Sequence, residues 1–214
     1  MDALTENFDL ILRGFWNTLK LLGVSGAIAL VLGTLVAVAR VSPVPVLRGV
    51  GVTYVTVFRN TPLLVLILLT YYGLPEIGID FGFFIMITMA MGLYTASFVT
   101  EAIRSGINGI GLGQAEAARS IGMPFGMTMT QVILPQAIRL VVPPLASVFI
   151  ALTKNTSLAA AFGIAEATFR MRGLTNDYAT ERIQIFLGIA LGYIIIVELI
   201  SFGANRFERR WAVR

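Results

Sequence analysis

Residues 81–100, FGFFIMITMAMGLYTASFVT, run for 20 positions without a charged side chain. As a helix rising about 1.5 Å per residue, that stretch is about 30 Å long, the thickness of a bilayer's hydrocarbon core. Residues 21–39 form a second uncharged run of 19. The whole chain agrees with these two runs: 57% of its 214 residues are hydrophobic, 13% are charged, and the mean hydropathy is +0.83. An ordinary soluble domain is far more polar. The sequence therefore predicts an all-α fold, an integral membrane helix bundle.

Three further segments complete a set of about five spans. Residues 49–75 are apolar except where Arg59 interrupts, followed by Asn60, Thr61 and Pro62. Residues 140–153 hold only 14 uncharged positions before Lys154, Asn155, Thr156 and Ser157 intervene and residues 158–165 resume the run, so a discontinuous or bent span is expected here. Residues 183–205 carry a single charge, Glu198, ahead of the basic tail RFERRWAVR. Gly23, Gly26 and Gly33 in the first span, and Gly188 and Gly192 in the last, are spaced to let helices approach closely. Tyr71, Tyr72 and Trp211 suit the aromatic belts at the two interfaces.

Positive charge is retained in the cytoplasm, which sets the orientation. Arg40 and Arg48 follow span one, and Arg104, Arg119 and Arg139 follow span three. Arg206, Arg209, Arg210 and Arg214 follow span five, while the loop after span two offers only Glu76 and Asp80. The N-terminus is expected outside and the C-terminus inside. Residues 170–182, with three arginines against Asp177 and Glu181, run against the pattern, and the odd span count places them outside. The first twelve residues are acidic and do not resemble a removable leader, so the N-terminus is expected to be kept. No repeat or soluble insertion divides the chain, and residues 1–214 read as one transmembrane domain.

Cysteine and histidine are absent. That removes disulfides, thiolate nucleophiles, imidazole bases and Cys or His metal sites. The basic balance, with a pI near 9.8, comes from short clusters between apolar runs, which fits membrane anchoring with lipid and not nucleic acid. Neither lysine, Lys20 or Lys154, stands in a Gly-Lys-Ser/Thr phosphate loop. ATP hydrolysis by that route is excluded.

Residues 113–137, GQAEAARSIGMPFGMTMTQVILPQA, are too polar to span and too apolar for a free linker. Positions 114–121 read as a two-turn helix closed by Gly122 as a left-handed cap and by Pro124 beyond it. A helix so short is marginal alone and needs a partner. Glu116-Ala117-Ala118, then Gly122, then Val132-Ile133-Leu134-Pro135 resembles the loop motif of permease subunits of binding-protein-dependent ABC importers, with Val132 where Ile is usual. Phe58-Arg59-Asn60-Thr61-Pro62-Leu63-Leu64 is similar to the F-R-G-T-P-L-L element of the polar amino acid permeases, with Asn60 for Gly. Lys154-Asn155-Thr156-Ser157-Leu158 resembles their K-D-T-S-L element, with Asn155 where Asp is common, and Tyr94, Glu101 and Arg104 fit their third span. The likeness covers roughly residues 12–209, in the right order.

The resemblance implies a transport subunit of the bacterial cytoplasmic (inner) membrane, multi-pass and without enzymatic activity of its own. The loop at about 111–124 would be a cytoplasmic coupling helix, with Gln114, Ala115, Glu116, Ala117, Ala118, Arg119 and Gly122 docking on an ABC ATPase subunit. ATP and Mg would be held by that ATPase and no cofactor by this chain. The other implied partners are a second permease subunit, identical or related, and an extracytoplasmic amino-acid-binding protein.

Two groups are candidates for the substrate. Arg59, with Asn60 and Thr61, binds a carboxylate in mid-membrane, or else Arg59 contacts backbone carbonyls or Glu101. Lys154, Asn155, Thr156 and Ser157 bind the polar ends of an amino acid, or else cap their own chain. The neutral Asn155 together with Arg59 and Lys154 favours an anionic or neutral substrate, glutamate or aspartate. The alternatives are a stand-alone secondary transporter, a Ser157–Lys154 intramembrane enzyme, and a pairing subunit without a substrate site of its own.

Overall fold

The computed structural model describes residues 2–211, and every regular element among them is a helix. Arg214 and the side chain of Trp211 lie outside the described residues. Four helices are long and apolar enough to cross a membrane, and a bent pair, taken as one broken span, makes five.

The first span, Phe8–Val41, starts well before residue 21. Its opening turns carry Asp9 and Arg13, paired at 2.8 Å one turn apart, so the helix continues beyond its uncharged core. Its buried positions, Ile11, Gly14, Thr18, Leu21, Ser25, Ala29, Gly33 and Ala37, recur every three or four residues and form one stripe. The third span, Phe83–Asn108, lies against that stripe and is the most enclosed of the spans. Close approach is concrete at Gly33, where an added Cβ would stand 2.7 Å from Val99 and 2.8 Å from the Ala96 carbonyl. Gly26 lies as tightly on Phe149, whereas Gly23, expected to act alike, faces open space.

The second span is the pair Pro45–Asn60 and Leu63–Glu76, bent by 99°. Pro62 forces the residue before it out of the helical region, and Thr61 sits at φ −95°, ψ 128°. Two carbonyls near the break also accept from side chains, Thr56 O from the Asn60 amide and Val57 O from the Thr61 hydroxyl, both at 2.8 Å. Beyond the bend, Leu63 and Ile67 join Leu21, Ile87, Met91 and Leu152 in the main apolar core.

The fourth span, Phe125–Phe162, is one continuous rod. The expected interruption at Lys154–Ser157 is a change of winding: the α-helix Leu134–Asn155 passes into a 3-10 stretch, Thr156–Phe162, which Gly163 ends at φ +81°. The Thr156 hydroxyl donates to Thr153 O and that of Ser157 to Lys154 O, each at 2.7 Å, so these residues cap their own backbone without unwinding it. A short helix, Ala167–Asp177, then leads to the fifth span, Arg182–Trp211. The stem of Arg170 in that short helix packs on Gly14, where a Cβ would lie 3.0 Å from its Cγ.

Candidate functional site

The loop helix runs over Leu112–Ser120, two residues earlier at its start than expected. Its end is a complete Schellman motif: Met123 N donates to Ala118 O at 3.1 Å, Gly122 N donates to Arg119 O at 2.9 Å, and Gly122 adopts φ +84°. Ala118 faces the bundle and is buried, while Gln114, Glu116, Ala117 and Arg119 point away and Ala115 is half-buried. Glu116 is the fifth residue of the helix and so lies outside its first turn. Leu112 and Ile121, at the two ends, are 81% and 77% exposed, an apolar edge left open by the described residues.

At the same end of the bundle, Glu101 of the third span gathers three arginines. Arg40 from the end of the first span pairs with its Oε1, and Arg104 lies at 2.8 Å and Arg59 at 3.9 Å from its Oε2. The Arg59 guanidinium also lies 5.2 Å over the ring of Phe98. Glu101 is thus Arg59's partner in this structure. Asn60 and Thr61 serve the bend.

Phe98 in turn lines a cavity of about 410 Å³ between the third and fourth spans, with Tyr94, Thr95, Ser147 and Asn155. Arg59 does not itself line this cavity; it stacks on the Phe98 ring, which does, as does Asn155. The rest of the 154–157 group points elsewhere, because successive residues of a helix turn by about 100°. Thr156 is fully buried, and Lys154 and Ser157 line a separate cavity of about 420 Å³ against the short helix and the fifth span, beside Thr168 and Tyr193. The structure places Asn155 on one cavity and Lys154 and Ser157 on another, and Arg59 lines neither.

Sequence reasoning passed over Glu166. This carboxylate is fully buried and caps the short helix, accepting from Phe169 N at 2.8 Å and Thr168 N at 3.0 Å. It also accepts from the Tyr193 phenol of the fifth span at 2.7 Å and the Thr18 hydroxyl of the first at 3.4 Å. With the Tyr193 hydrogen given to Glu166, the Thr168 hydroxyl is the donor in its 3.2 Å contact with Tyr193. Burial disfavours the charge and four donors favour it. The available signal was an acid at the edge of the apolar run 158–165.

These features define a class: a multi-pass membrane helix bundle that carries an exposed short helix at its basic end. The family of binding-protein-dependent transport system inner membrane components matches residues 29–213, and the chain belongs to it. The chain is 37% identical over 216 residues to the glutamate transport system permease protein GluC of Corynebacterium glutamicum, covering 95% of each protein. It is 36% identical over 210 residues to a probable glutamine ABC transporter permease protein, GlnM, of Bacillus subtilis, covering 98% of this chain and 97% of that one. Among solved structures, a crystal structure of an amino acid ABC transporter with histidines superposes with a TM-score of 0.90 at 32% identity, over 97% of both chains. The family is one of permease subunits, whose ATPase is a separate polypeptide.

Proposed function

We propose that this chain is the transmembrane subunit of an ATP-driven importer for glutamate or a closely similar polar amino acid. The observation that carries the reading is the loop helix, rigidly capped yet exposing Leu112, Glu116 and Ile121. Short helices with an apolar edge dock in grooves, and an ABC ATPase, holding ATP and Mg, is the partner such a helix serves in this family. Residues 1–214 act as one permease domain, with the basic end cytoplasmic and the N-terminus outside. A second permease chain completes the pathway, and an extracytoplasmic binding protein delivers the substrate.

The cavity lined by Tyr94, Thr95, Phe98, Ser147 and Asn155, with Arg59 stacked on the Phe98 ring, is the place for the amino acid. Arg59 supplies positive charge and Asn155 an uncharged amide, a combination that suits an anionic or amide side chain and not a cationic one. Relatives named for glutamate and glutamine support this choice. The test is ATPase activity of the complex assembled in lipid with its ATPase, second permease and binding protein. Stimulation by glutamate, aspartate or glutamine and not by arginine is expected. Failure of any ATPase to join the complex overturns the importer reading, and stimulation by arginine alone overturns the substrate.

A further inference from the structure

The arginine cluster has a second face. A groove of about 450 Å³ opens between the ends of the first and third spans and the first arm of the bent pair, lined by Arg40, Arg48, Arg104 and Asn108. The stem of Arg40 lies on Gly51, where a Cβ would stand 2.6 Å from its Cγ. Gly51 is three residues beyond Arg48 on the same helix face, which brings the two guanidiniums to one wall of the groove. Around Glu101, three guanidiniums face one carboxylate, a formal excess of two positive charges. Arg48 adds another, and it has no ion-pair partner among the described residues. The other walls are apolar and open, with Val52 41% and Phe125 76% exposed.

Arg40 is the last residue but one of the first span and Asn108 the last of the third, so the groove lies where hydrocarbon meets water. A site with guanidiniums at one end and apolar side chains at the other, at that depth, complements an anionic amphiphile. We propose that an anionic phospholipid occupies it, its phosphate held by Arg48 and by the remaining N–H donors of Arg40 and Arg104, and its acyl chain lying along Val52 and Phe125. A guanidinium holds phosphate through paired N–H donors, which is why the residue type matters.

The experiment is native mass spectrometry of the full-length chain in its assembled complex, released from nanodiscs of phosphatidylglycerol or phosphatidylcholine. The wild type is expected to retain phosphatidylglycerol and not phosphatidylcholine, and Arg48→Gln to lower that retention about fivefold. Arg48→Lys, which keeps the charge, restores part of it. Equal retention by wild type and Arg48→Gln overturns the proposal. So does displacement of the lipid by millimolar inorganic phosphate, which assigns the site to a free anion. Loss of the ATPase from the Arg48→Gln complex with lipid retention unchanged also overturns it, because the face then belongs to a protein partner.

Discussion

Tyr193 gives its phenolic hydrogen to Glu166 Oε2 at 2.7 Å, tying the fifth span to the residue that caps the short helix after the fourth. Through the same carboxylate, Thr18 brings in the first span. One buried acid therefore holds three segments that are remote in sequence. Glu166→Ala leaves Thr168 N, Phe169 N and the Tyr193 phenol short of their acceptor, while Thr18 keeps Gly14 O at 3.3 Å, and is expected to cost about 2 to 3 kcal/mol. Tyr193→Phe removes one donor and costs about 1 kcal/mol. Thermal melting of the purified protein in detergent should rank Glu166→Ala well below Tyr193→Phe, and equal losses would show that the carboxylate does not organise the junction.

Gly33 and Gly23 make a matched pair on the first span. Gly33→Ala pushes a methyl to 2.7 Å from Val99 and is expected to destabilise the fold by about 1 to 3 kcal/mol, whereas Gly23→Ala meets no atom within 4 Å and leaves it unchanged or firmer. Detergent melting curves of the two variants give the comparison.

Glu101→Gln strips the carboxylate from Arg40, Arg59 and Arg104 at once. The side chains of Glu101 and Arg40 are 19% and 16% exposed, so solvent screens part of the repulsion and a loss of about 2 kcal/mol is expected. Arg59→Gln, which removes only a 3.9 Å pair, should cost much less in the same assay.

Gly122→Ala puts a side chain into a left-handed backbone at φ +84° and penalises the Schellman end of the loop helix by about 1 to 2 kcal/mol. ATPase copurification is expected to fall, while Gly113→Ala, within the same helix and with open space at its Cβ, preserves it. Glu116→Lys reverses an exposed charge and should weaken ATPase association about tenfold, close to 1.4 kcal/mol, measured by titration of the ATPase subunit.

Asn155→Asp installs a carboxylate in the cavity beside Tyr94 and Ser147. The competition profile for uptake should move towards lysine and arginine, and a profile identical to the wild type would remove Asn155 from the substrate's path.

The local features of the chain were legible because their causes are local. Pro62 announces the bend, Gly122 followed by Pro124 announces the end of the loop helix, and uncharged runs announce the first and third spans. Lys154–Ser157 misled because Asn, Thr and Ser break helices when their side chains compete for backbone groups, whereas here Thr156 and Ser157 bond back within the helical path. Glu166 was invisible for a different reason: Thr18 and Tyr193 stand 148 and 27 residues away, and no local pattern joins them. The arginines at 170–182 looked like misplaced topology signals, yet the stem of Arg170 is packing material against Gly14.

The 3-10 stretch Thr156–Phe162 sets the length and phase of the fourth span. Its seven residues are about 3.5 Å longer than they would be in α winding, and they advance about 140° further round the axis. Rewinding them into the adjoining helix would draw Gly163 towards the middle of the bundle and rotate it in the same movement, as a screw turns while it retracts. The Glu166 junction, only three residues further on, sets how far that screw can turn.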